Sequence, residues 1–68
     1  MITLQRLNKV IGRMMTALRR AAGFKRDCYV RALGWLNRAR VALRKGWQGV
    51  VNHNLQCADY YARLAAVA

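Results

Sequence analysis

An all-α fold, an antiparallel three-helix bundle or helical hairpin that self-associates, is what this chain predicts. Three observations carry the prediction. Ala, Leu and Arg dominate the composition and proline is absent, which favours helix throughout. Apolar residues recur at alternating spacings of three and four in three stretches, the period of an α-helix with one buried face. Two short breaks, each marked by a glycine next to an aromatic residue (Gly23-Phe24 and Gly46-Trp47), divide those stretches. With 56 % hydrophobic residues, the chain is too apolar to be a disordered basic tail. Its 68 residues make a single domain, 1–68, with helices expected at about 4–22, 27–45 and 47–66. So short a chain buries little core, and association with a second copy is expected.

The first helix opens at Thr3, a residue suited to the N-cap. Leu4, Leu7, Ile11, Met14, Leu18 and Ala21 then form a heptad seam, with Leu4 at a and Leu7 at d. In that frame Arg6, Lys9, Arg13, Arg19 and Arg20 fall at b, c or f and face away from the seam. Positions e and g hold Asn8, Val10, Met15, Ala17 and Ala22. A two-stranded coiled coil places charges there, so these mostly apolar flanks predict a wide face touching more than one helix. Gly23 suits the C′ position of this helix.

Asp27 is placed to cap the second helix. Its seam is Tyr29, Ala32, Leu36, Ala39 and Leu43, while Arg31, Arg38 and Lys45 recur every seven residues on the opposite side. Val30 and Val41 fall outside the seam, either simply exposed or covered by a partner. Gly34, also outside it, weakens the helix by about 1 kcal/mol relative to alanine. Beyond Gly46 a third helix carries two adjacent stripes, one of Val51, Leu55, Ala58, Ala62 and Ala65, the other of Val50, Asn54, Cys57, Tyr61 and Leu64. Two stripes predict two neighbours. This helix is expected at the centre of the fold or at a self-association surface built from Val51, Leu55, Ala58, Tyr61, Ala62 and Ala65. Short connections predict an up-down-up path.

Charge is the most lopsided property of the chain. The 13 Lys and Arg residues face two acids, for a net +11. Twelve of those 13 cations lie between Arg6 and Lys45, opposed there by Asp27 alone; from residue 46 onward Arg63 offsets Asp59. Such an excess attracts nucleic acid, anionic membrane or an acidic protein surface. The partner- or phosphate-binding candidates are Arg6, Lys9, Arg13, Arg19, Arg20, Arg31, Arg38 and Lys45, expected on one convex face of the first two helices.

Catalytic chemistry finds little support. Two acids, one expected as a cap, exclude a paired-carboxylate mechanism, and no phosphate-binding glycine pattern occurs. His53 and Cys57 sit four apart, as two ligands on one helix face would, and Cys28 is a possible third, but no fourth is present. A surface His and a buried Cys are expected, with no metal and no cofactor. Trp47 and Tyr61 are expected in the core, Trp35 is left open, and Tyr60 is expected outside. The two cysteines do not make a disulfide framework. No signal peptide and no apolar run of membrane-spanning length is apparent, so a cytoplasmic location is expected and membrane association is not.

The stretch Ala39–Ala62, ARVALRKGWQGVVNHNLQCADYYA, resembles the helical hairpin of a tetratricopeptide-type repeat, with Val50 and Asn54 turned inward. No second copy follows, so the resemblance implies a hairpin and not an array. The whole chain resembles the very small, Arg-rich, all-helical accessory proteins encoded in early regions of lambdoid bacteriophages. The acid-poor start MITLQRLNKVIGRMMTALRR and the hairpin around RKGW carry that likeness. It implies a non-enzymatic modulator of host physiology or of phage development, acting by binding in the host cytoplasm, with no site residues to transfer. The leading expectation is a dimeric interaction protein whose basic face docks an acidic protein. The alternative is a nucleic-acid-binding module that grips phosphates; long heptad-like helices do not suit a helix-turn-helix reader.

Overall fold

The computed structural model describes residues 2–68 and is helical over nearly all of them. Helix α1 spans Leu4–Arg20, α2 Gly23–Lys45 and α3 Gln48–Val67. Two-residue links join them, and each helix runs antiparallel to the one before it. The all-α three-helix architecture is the one the periodicity predicts.

Thr3 opens α1 as expected: its backbone is extended and its hydroxyl accepts the Arg6 N–H at 3.1 Å. Arg19 and Arg20 in the last turn complement the negative end of the helix dipole. The helix stops two residues short of the expected end, because Ala21 and Ala22 are extended. Gly23 does not close α1. It begins α2 with φ of 61°, a left-handed conformation that costs glycine little. Asp27 is therefore not the cap of α2; it stands exposed in the second turn, four residues beyond the true start. The earlier start keeps the link to α1 at two residues and brings Cys28, which is buried, onto the face that also buries Ala32 and Ala39.

The turn from α2 to α3 is set by Gly46, with φ of 75° and ψ of 18°. Its N–H bonds to the Leu43 carbonyl at 3.2 Å, and the Trp47 N–H reaches the Ala42 carbonyl at 3.0 Å. Those two bonds form a Schellman motif, which satisfies the last carbonyls of α2 and reverses the chain.

Packing differs across the two helix pairs. The buried residues of α2 include Ala32, Ala39 and Ala42 and those of α3 Val51, Ala58 and Ala65, and α2 and α3 are the more extensively packed pair. Small side chains let the two axes approach closely. Against α1, the contact is made by larger groups. Leu7 and Ile11 of α1 join Leu36 and Ala39 of α2 and Ala58 of α3 in one apolar cluster, flanked by Val10, Met14, Leu33, Leu43 and Leu55. No Cα atom of α1 comes within 8 Å of one in α3. Thus α2, not α3, is the central helix, because it alone packs along both others. The molecule is elongated, 35 × 18 × 15 Å.

Burial also redraws the expected self-association surface. Val51, Ala58 and Ala65 are consumed by the chain's own α2–α3 packing, so they are not open to a second copy. Leu55, Tyr61 and Ala62 are half-buried.

Candidate functional site

The eight candidate cations divide between two places. On α1, Arg6, Lys9, Arg13, Arg19 and Arg20 are exposed, on the side away from buried Leu7 and Ile11. Arg20 also borders a hollow at the α1–α2 corner with Lys25 and Tyr29. On α2, Arg31, Arg38 and Lys45 stand along the edge that borders α3, each beside an aromatic ring. The Arg31 guanidinium lies 5.9 Å from the Tyr61 ring centre, that of Arg38 lies 4.6 Å from Trp35, and the Lys45 ammonium lies 4.6 Å from Trp47. These are cation–π distances.

Between the two helices this edge becomes a groove. One part is lined by Arg31, Gly34, Trp35, Arg38 and Tyr61. The next part, about 430 Å³, is lined by Trp35, Arg38, Val41, Ala42, Trp47, Val50 and Asn54. Trp35 and Arg38 belong to both, so the two parts are continuous. No residue of α1 contributes to either. The single basic face expected over the first two helices is thus two separate regions: an outward row on α1 and a groove edge on α2.

The groove wall on α3 is apolar and its floor holds one amide. Asn54 is 5 % exposed, and none of the side-chain hydrogen bonds among the described residues involves it. Asn54 lines the groove. Trp47, expected in the core, is 54 % exposed. The Schellman turn places it just past the helix end, where its ring meets Lys45 instead of entering the interior. Val50, expected inward, is also exposed, as are Val30 and, on the groove edge of α2, Val41. Tyr60 is exposed as expected, with its ring edge-on to Tyr61 at 5.2 Å.

Almost no acid answers these cations. The one ion pair among the described residues joins Arg63 to Asp59 at 2.9 Å, one turn apart and in solvent. Arg40 turns instead to amides, donating to Asn37 at 2.8 Å and to Asn8 of α1 at 3.3 Å.

His53 is exposed and Cys57 half-buried, with the thiol sulfur 3.6 Å from Nε2. The His53 ring also meets Trp35 edge-on at 5.9 Å. Among the described residues no three His, Cys, Asp or Glu side chains gather as a metal ion requires, and both cysteines are free thiols. No helix among the described residues is long and apolar enough to cross a membrane.

The geometry suits recognition of a ligand that is both acidic and apolar: carboxylates for the α2 edge, apolar groups for the floor. Sequence spacing locates the α2 cations, which recur every seven residues. Two of the rings are near in sequence as well, Trp35 one turn before Arg38 and Trp47 two residues after Lys45; only the pairing of Arg31 with Tyr61 of α3 depends on how closely α2 and α3 approach.

Compared with known proteins, the chain matches no family model, and neither curated proteins nor solved structures show a significant match to it.

Proposed function

We infer that this is a small, basic, non-enzymatic binding protein whose α2–α3 groove docks an acidic protein partner. In the setting that the phage resemblance implies, it is a regulatory accessory factor of the host cytoplasm that modulates host physiology or phage development. The observation that carries the reading is the row Arg31, Arg38 and Lys45 beside Trp35, Trp47 and Tyr61, with no carboxylate among the described residues paired to it. Cations held against rings are partly ordered before the partner arrives, so binding orders fewer side chains.

Nucleic acid is the second reading. The exposed, acid-free row of α1 favours it, since phosphate contacts need only accessible cations. The groove favours protein. Base stacking needs open ring faces; Trp35 and Tyr61 are half-buried and each already has a cation over one face. The part of the groove lined by Val41, Ala42, Trp47 and Val50 is also largely apolar, unlike a phosphate track.

Gel-shift titration with duplex and single-stranded DNA at about 50 mM and about 200 mM salt separates the readings. The acidic-protein reading expects no defined shift at the higher salt. It also expects capture of a partner from nuclease-treated host lysate, abolished by Arg31→Glu with Arg38→Glu. Tight, salt-sensitive DNA binding together with capture that disappears on nuclease treatment contradicts it.

A further inference from the structure

We propose that the occupant of this groove is a single amphipathic α-helix of another protein, about four turns long, with carboxylates every seven residues along one edge. The inference rests on the acidic-partner reading and adds the partner's conformation and register.

The spacing of the α2 edge is the first support. Arg31, Arg38 and Lys45 are successive positions seven residues apart on a continuous helix, hence about 10.5 Å apart and about 21 Å from first to last. A second helix lying along α2 repeats its own side chains at the same interval. Asp or Glu at every seventh position therefore meets all three cations in turn.

Backbone chemistry is the second support. An extended peptide brings unpaired N–H and C=O groups that must find partners when buried. The groove walls are helices whose backbone groups are already bonded internally, and among the residues lining it Asn54 is the one buried polar side chain. A helix satisfies its own backbone and needs only apolar side chains for Val41, Ala42, Trp47 and Val50. One polar side chain facing Asn54 would fix its register, as a single buried asparagine does in coiled coils.

The notch at Gly34 is the third. Gly34 lies between Arg31 and Arg38 on the groove edge, and no heavy atom would come within 4 Å of a Cβ added there. The missing side chain leaves room for a helix to approach α2.

Charge argues against a second copy of this chain as the occupant. Each copy carries +11 and has only Asp27 and Asp59 to offer, and Asp59 is already engaged by Arg63.

The test uses the full chain and a helix-stapled peptide of about eighteen residues, with three glutamates seven apart and leucines on the adjoining face. A control peptide of the same composition has its glutamates five apart, which scatters them around the helix. Binding is read from the fluorescence of Trp35 and Trp47, the two tryptophans present. The proposal expects the heptad peptide to bind at least about tenfold more tightly than the control. It also expects Gly34→Leu, which alters no charge, to weaken that binding about tenfold or more while circular dichroism stays unchanged. Lysine in place of the matching glutamate should restore binding to Arg38→Glu. Equal binding of the two peptides overturns the helical register and leaves the acidic-partner reading standing. Failure of both peptides and of polyglutamate at low salt overturns both. Binding of single-stranded DNA that is lost in Arg38→Glu assigns the groove to nucleic acid and overturns the helix.

Discussion

Gly34 and Gly46 have opposite relations to the fold. Gly46 holds φ at 75°, where a Cβ is strained, so Gly46→Ala is expected to destabilise the protein by about 1–2 kcal/mol. Gly34 sits inside α2 with ordinary helical geometry and open space where a Cβ would be, so Gly34→Ala should stabilise by about 1 kcal/mol. Urea unfolding of the two variants should move the midpoint in opposite directions; shifts of the same sign would refute the distinction. Leu7 is fully buried where α1 meets α2, and Leu7→Ala should cost about 2–5 kcal/mol. A loss below about 1 kcal/mol would mean that α1 is not docked as described. Both glycines stand out in the sequence as departures from the periodic pattern. Trp47 does not. Its exposure follows from the two turn bonds that place it beyond the helix end, and an apolar aromatic beside a seam reads as core until that turn is known.

Among the helices, α2 is the one the other two depend on. Its alanine face permits close packing with α3, and α1 rests on it through larger side chains, with no α1 Cα atom within 8 Å of one in α3. The α1 amides should therefore exchange with solvent through a lower-energy opening than those of the α2–α3 hairpin. Native-state hydrogen exchange should show α1 opening as a unit while Ala32–Ala42 and Val51–Ala58 stay protected; uniform protection across the three helices would contradict this. The number, type and order of the helices were legible in the apolar spacing, and the Thr3 cap and the Gly46 turn were legible as local chemistry. The start of α2 was not, since Asp27 has the better capping side chain and Ala22 has none. The central role of α2 was also hidden: the two stripes of α3 report that two sides are covered, but one of them lines the groove instead of a third helix.

At the scale of the whole molecule, a net charge of +11 is set against a single solvent-exposed ion pair among the described residues. Self-repulsion of that size opposes association of like chains, and three of the six residues expected to join two copies are already in the core. Light scattering at micromolar concentration and moderate salt should give a particle of 7.8 kDa; a stable dimer would require a surface other than Val51, Ala58 and Ala65. The excess of cations was fully legible in the sequence. Its division into an α1 row and an α2 groove edge was not, because heptad positions give a direction about each helix axis and not the relative placement of the axes. That division supplies the most direct test of the central claim. The captured partner is titrated against wild type, against Arg31→Glu with Arg38→Glu, and against Arg6→Glu with Arg13→Glu. Both double variants change the net charge equally. If the groove is the docking site, the first pair abolishes binding and the second slows association only modestly. Equal losses from the two pairs, or a greater loss from the α1 pair, would contradict docking in the groove.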